Sequence, residues 1–409
     1  MYDVSNWGRV HPGGEVIYTY GGCDATDVFS SFHGRGAWSA LRELKVGVLE
    51  DDPPAEELVR DFRDLRLRLK REGLFESNKV FYVYKTSTTF ALVAVGAYVL
   101  AAYGHTWMGY MSAAVLVALF LQQSGWLAHD YLHHQVFENR KLNYAAGYVI
   151  GNLCQGFSSA WWRNKHNTHH AACNWIDDKG GALDPDIDTI PYLAWSADML
   201  GQVQTPLEKF LVRYQQYTIA PLLSIARLSW SLESIKYVLY SPTMEKDGFV
   251  LEAVLLVLHY ICYLGFVSAH LGVLGGLGFF ALNQVLASIF LSLVFVQSHN
   301  AMDTANNSFD WFRTQVLTTR NVTSDFAHDW FTGGLNMQIE HHLFPTLPRH
   351  NLRQTRTYVR EICEKHGIPY EECGVVEGSS KILEHLGKVS EALDQRDAAE
   401  AAAATAASS

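Results

Sequence analysis

The 409-residue sequence predicts a mainly α-helical integral membrane protein: four spans, a helical cap on one face of the bilayer, and a small N-terminal α+β domain. Three observations carry this prediction. Charged residues make up 18% of the chain, below the average near 25%, and the deficit is local. Of the 32 Lys and Arg and 42 Asp and Glu, only one falls within residues 86–127 and 249–297. The mean hydropathy of −0.02 therefore averages over two materials, one soluble and one apolar. Finally, eight of the 18 histidines gather in three tight clusters just outside the apolar blocks.

Residues 1–50 are polar with aromatic patches and read as a small mixed domain. Asp51-Asp52-Pro53-Pro54 is an acidic turn placed to start a helix. In the linker 51–85, Leu58, Phe62, Leu65 and Leu69 recur at spacings of four, three and four, one apolar stripe on a helix that stops at Gly73. Residues 86–127 carry no formal charge. At about 20 residues per crossing they make two spans joined near Gly104-His105-Thr106-Trp107. Residues 253–297 make a second hairpin, interrupted by Gly272, Gly275, Gly276 and Gly278. Residues 142–162 are uncharged too, but Gly147, Gly151, Asn152, Gln155 and Gly156 weaken a span there, so they are expected in the membrane interface, as is the mixed stretch 207–240. The membrane domain covers 86–375, and 376–409 is expected as a helix followed by a disordered Ala-rich tail.

Two hairpins cross an even number of times, so residues 1–85, 128–248 and 298–409 share one side. Every Lys and Arg lies in those segments, which by the positive-inside rule makes that side cytosolic, both termini and all three histidine clusters included. The acceptor patterns Asn306-Asn307-Ser308 and Asn321-Val322-Thr323 then stay unmodified. A net charge of −10 argues against nucleic acid as a partner. Six scattered cysteines without a C-x-x-C pair suit a reducing compartment, and no secretory signal opens the chain.

The clusters are His129-Asp130-Tyr131-Leu132-His133-His134, His166-Asn167-Thr168-His169-His170 and Gln338-Ile339-Glu340-His341-His342. Offsets of three and four put each set on one helix face, aimed at a common point. Imidazole suits iron, zinc and copper alike, so the ligand type leaves the metal open. At the N-terminus stand His11-Pro12-Gly13-Gly14, then Asp24-Ala25-Thr26-Asp27 and Phe32-His33.

The N-terminal motif resembles the cytochrome b5 family, which implies haem b held between His11 and His33. Two axial imidazoles leave the iron no open position, so it can only pass electrons. That family normally has a strand and helix ahead of the segment matching Tyr2-Asp3-Val4, so the domain is expected to be short at its N-terminus, with one wall of the haem pocket missing. HDYLHH, HNTHH and QIEHH, with Trp161-Trp162, Asp184-Pro185-Asp186-Ile187-Asp188 and Leu343-Phe344-Pro345, are similar to the membrane fatty acid desaturases. The fused haem domain and the glutamine opening the third box resemble the front-end branch, most of all Δ6-acyl desaturases of algae and fungi. That resemblance implies two non-haem irons held by His129, His133, His134, His166, His169, His170, His341 and His342. Gln338 would join them directly or through water, and His299 would be a further ligand.

It also implies an endoplasmic reticulum enzyme that uses O2 to insert a cis double bond into the acyl chain of a CoA ester or phospholipid. Gly276-Leu277-Gly278-Phe279-Phe280-Ala281 follows no strand, so it is no nicotinamide site. Electrons are therefore expected from a separate NADH–cytochrome b5 reductase. A Δ5-acyl or sphingolipid Δ8 desaturase is the alternative, or a hydroxylase on the same boxes. A histidine-rich metal transporter would instead place its ligands near the bilayer midplane. Trp161, Trp162 and Trp175 are expected at the membrane surface, Asp184–Asp188 as a loop that holds its neighbours in place, and Asn174 and Asn300 as residues orienting ligands.

Overall fold

The computed structural model describes residues 1–8, 11, 14–50, 54–241, 246–305, 310–323 and 325–408. Pro12-Gly13, the turn Asp51-Asp52-Pro53, the acceptor Asn306-Asn307-Ser308 and Ser409 lie outside the described residues.

The N-terminal domain has a 3₁₀ turn at Gly14–Tyr18 and two helices, α1 (Thr26–Phe32) and α2 (Arg35–Glu43). Its expected β component reduces, among the described residues, to one antiparallel bridge between Tyr2 and Lys45. The linker stripe folds as predicted: α3 (Glu57–Arg71) buries Leu58, Phe62, Leu65 and Leu69 and ends before Gly73 at φ 75°. Its apolar face packs on Phe312 and Phe344, so the linker is part of the core outside the long apolar helices.

Among the described residues, three helices are long and apolar enough to cross a membrane. Helix α4 (Lys79–Tyr103) is capped by Asn78, and α5 (Trp107–Leu132) by Thr106, with the turn where the sequence places it. The third, α11, is described after the intervening elements. Residues 142–162, expected at the membrane interface, are largely helical and packed against the apolar helices. They form the end of α6 (Arg140–Gly147), a π-helical stretch Tyr148–Gln155, and the start of α7 (Ser159–Ala171). Their polar side chains find partners inside: Asn143 brackets the backbone of Phe137, and Asn152 Nδ2 donates to Glu252 at 3.0 Å. Helices α8 (Pro206–Arg213), α9 (Gln215–Ser224) and α10 (Ala226–Tyr240) follow, leaving Leu207, Phe210, Tyr217, Leu232 and Tyr240 exposed along their outer face.

Helix α11 (Lys246–His299) is interrupted at Gly272, whose φ 72° and ψ 167° are not helical. Tyr263 Oη donates to Asn283 Oδ1 at 2.6 Å. A straight helix would hold residues 20 apart at about 30 Å, so the chain turns back at Gly272 and the element is a hairpin. The single charge in the apolar blocks, Glu252, is buried in it, accepting from Asn152 and from the backbone N–H of Ala160 in the first turn of α7 at 2.8 Å.

Beyond it lie α12 (Trp311–Leu317), strand β1 (Asn321–Val322), α13 (Phe326–Thr332), α14 (Gln338–Leu343), α15 (Leu352–His366), strand β2 (Glu372–Cys373) and α16 (Val375–Ser408). The strands pair in parallel, Asn321 with Glu372. The Ala-rich tail, expected as disordered, continues α16 as helix, in keeping with alanine's high helix propensity. Inside it, α16 is clamped to α8 by Lys209 and Arg213 on Asp394 and Asp397.

Candidate metal centre

Four elements converge below the membrane helices: the end of α5, α7, the end of α11, and α14. They bring together two groups of buried side chains. His129, His133, His166, His170 and His341 each offer a nitrogen, and these nitrogens lie within 4.8 Å of one another. A second group at the same spacing comprises His169, Cys173, His299 and His342. The groups touch where the His170 and His342 rings stack at 4.0 Å.

The geometry fits cations. His129 Nε2 lies 3.0 Å from His341 Nε2, and His166 Nε2 3.1 Å from His170 Nε2. Two nitrogens at about 2.1 Å from one ion, at right angles, would stand about 3.0 Å apart. The nitrogens His133 Nε2 and His342 Nε2 are buried with no hydrogen-bond partner, a costly arrangement that a metal ion would relieve. Burial, reinforced by neighbouring imidazoles, holds His133, His166, His170 and His342 well below the usual histidine pKa and His341 down to about 3. They are therefore neutral near pH 7, with lone pairs available.

His169 differs. Burial opposes its charging, but the Asp184 and Asp186 carboxylates outweigh that and push its pKa up. His169 Nδ1 donates to Asp184 Oδ2 at 2.9 Å. Asp184 is fully buried and also accepts from the backbone of Asn174 and Asp186, so this acidic loop holds a histidine in place, as its sequence suggested. The pattern repeats around the second group. His342 Nδ1 donates to Gln315 Oε1 at 2.8 Å, and His299 Nδ1 lies 3.4 Å from Cys173 Sγ. Fixing one ring nitrogen by a partner aims the other and selects the tautomer. Asn174, at φ 53°, donates through Nδ2 to the carbonyl of His299 at 3.0 Å. Asn300 contributes its carbonyl, which accepts from Arg320 at 2.5 Å.

The sequence-predicted residues sort as follows. His129, His133, His166, His170 and His341 meet in one group, and His169, His299 and His342 in the other. Gln338 touches the second, with Nε2 2.7 Å from His299 Nε2. His134 joins neither. Helix α5 ends at Leu132, His133 caps it, and His134 takes φ 60°, which turns its side chain off the helix face and against Tyr144 at 4.9 Å. Of the tryptophans expected at the membrane surface, Trp161 and Trp175 are buried in the protein, and Trp162 stacks on His166 at 4.3 Å.

Gln315 and Cys173 were missed, since a lone Gln or Cys carries no sequence signal. Arg349 was also missed; its Nε lies 2.8 Å from buried Asp130, inside the first box.

In the N-terminal domain, the rings of His11 and His33 face each other at 5.8 Å. His33 Nδ1 donates to the carbonyl of Phe29 at 3.0 Å, leaving Nε2 for a ligand. The imidazole stacks on Phe29 at 4.2 Å, and burial lowers its pKa to about 4, so it is neutral and able to bind iron. The pair fits a bis-imidazole haem clamp.

Fold and site thus define a membrane protein with a histidine-built metal centre and a fused haem-clamp domain. Residues 105–374 match the fatty acid desaturase family, and residues 1–50 the cytochrome b5-like heme/steroid binding domain. The chain is 42% identical to the acyl-lipid (9-3)-desaturase of Physcomitrium patens over 97% of its own length and 75% of that protein's. It is 34% identical to a Delta(8)-fatty-acid desaturase of Euglena gracilis (98% and 96% covered) and 32% to the Delta(6)-fatty-acid desaturase fat-3 of Caenorhabditis elegans (95% and 94%). The chain belongs to the fatty acid desaturase family, in its front-end, cytochrome b5-fused branch. Membership brings a di-iron site and a haem, and the two histidine groups and the His11–His33 pair fit them.

Proposed function

We propose that this protein is a front-end Δ6 acyl desaturase. In the reaction one O2, two electrons and two protons remove two hydrogens from adjacent methylenes of a polyunsaturated acyl chain, giving a cis double bond and two waters. The irons, when bound, supply the oxidant that an unactivated methylene demands. His129, His133, His166, His170 and His341 hold one ion. His169, His299 and His342 hold the other, with Gln338 against His299. His11 and His33 hold the haem. Asp184 and Gln315 keep their imidazoles aimed, and the buried walls exclude water from the reacting carbons.

The observation that carries this reading is the meeting of two buried histidine groups at the ends of apolar helices, directly beneath a haem-clamp domain. Similarity to the worm Delta(6)-fatty-acid desaturase supports the position chosen. The electrons come from NADH–cytochrome b5 reductase, and the acyl chain rides on CoA or a phospholipid. With α11 folded back at Gly272, the membrane part makes four spans in the endoplasmic reticulum, both termini and the metal centre facing the cytosol.

Expression in a yeast lacking such fatty acids, fed 18:2 and 18:3 acids, tests this. Mass spectrometry should locate a new bond at carbon 6. A bond at carbon 5 or 8 would replace the position, and no new bond from well-expressed protein would reject the activity.

A further inference from the structure

The haem domain does not hang free on a linker. Tyr20 Oη donates to the carbonyl of Ala171, the residue after His170, at 2.8 Å, and the Tyr20 ring packs on Trp175. Arg63 of α3 grips both oxygens of Asp27 at 2.8 Å. Arg140 Nη2 donates to the carbonyl of Phe32 at 2.7 Å. Val28 is buried in the same apolar core as Leu58, Phe62 and Phe312, with Val16, Tyr20 and Phe32 packed against it. This contact places Phe32 with its backbone joined to His33 and its ring edge-on to His170, centroids 6.1 Å apart at 87°. His170 in turn belongs to the five-histidine group and stacks on His342 of the other.

We propose that the haem domain works in this docked position, and that Phe32 is the bridge by which electrons pass from the haem ligand His33 to His170 at the seam of the two iron sites. The proposal rests on the desaturase reading above. Each passage oxidises one ferrous haem to ferric and reduces one ferric ion of the pair to ferrous. Two passages deliver the two electrons that one double bond consumes, and a reductase restores the haem between them. A conjugated ring set edge-on to His170 and joined through the backbone to His33 shortens the through-space part of the path, and His170, stacked on His342, stands at the seam of the two sites. Docking also holds the donor at fixed distance, replacing a bimolecular encounter by an intramolecular step.

The test uses the full-length, haem- and iron-loaded protein in nanodiscs, with haem reduced by NADH and catalytic reductase. Haem reoxidation is followed by its absorbance after mixing with O2 and both 18:2-CoA and 18:2-phosphatidylcholine, and chelator-treated protein gives the background. Phe32→Leu keeps apolar volume but removes the ring, and should slow reoxidation several-fold at unchanged haem and iron content, whereas Phe32→Trp should stay near wild type. Wild-type rates in Phe32→Leu would overturn the bridge.

Docking is tested separately, without touching the core. Asp27→Arg sets two cations against each other and should slow reoxidation, and the swapped pair Asp27→Arg with Arg63→Asp should restore it. An unaffected Asp27→Arg protein would overturn the docked state. Wild-type protein that makes no double bond even with chemical reductant would reject the desaturase reading itself, a result separable from either of these.

Discussion

His134 and Gln315 show how much the centre depends on single side chains. His134 sits in a histidine box yet faces Tyr144, because the backbone leaves the helix one residue earlier. His134→Ala should therefore keep near-normal iron in the purified protein, while His133→Ala loses it; metal analysis of both variants decides, and equal loss would place His134 among the ligands. Gln315 sits outside every motif yet receives the Nδ1 proton of His342. Gln315→Leu leaves that N–H buried without an acceptor. Losses of this kind lower metal affinity about 10- to 100-fold, measurable by chelator competition, and unchanged affinity would show that the ring needs no such hold.

At the scale of elements, the readable and the unreadable parts separate by physical cause. The α3 stripe and the turn before Trp107 were legible because local periodicity and turn chemistry determine them. The burial of residues 142–162 was not, because it depends on partners such as Glu252, 100 residues away. The same holds for the site: offsets of three and four revealed which histidines share a face, but not where each helix stops. Gly272 gives a test of the α11 hairpin. A Cβ there would meet no atom within 4 Å, so any penalty comes from the backbone. Its φ and ψ fall in a region open essentially to glycine alone, and Gly272→Ala should cost about 1–3 kcal/mol, read from unfolding in detergent. An unchanged midpoint would mean the turn is not held in that conformation.

For the molecule as a whole, the metal layer is a store of buried neutral imidazoles, and this sets its response to acid. His133, His166, His170 and His342 titrate well below the ordinary value of 6.5, and His134 and His341 near 3. As pH falls below 6.5 the unfolded chain takes up protons that the folded chain refuses. Stability of the metal-free protein should then decline from about pH 6.5 downward, continuing toward pH 3, and bound iron should delay the decline by competing with protons. Thermal unfolding across pH, with and without chelator, measures both. A flat profile for the chelated protein would contradict the burial of these rings.

Glu252 has a further consequence, for how the chain is made. A bare carboxylate is an expensive passenger for a helix entering lipid. Its partners, Asn152 and the first turn of α7, precede it in the chain, and domains take shape from the N-terminus during synthesis. When the second hairpin leaves the ribosome, its counterpart has already been translated. The order of translation thus makes both partners of this charge, one of them in the helix that carries the second histidine box, available before the helix that bears it.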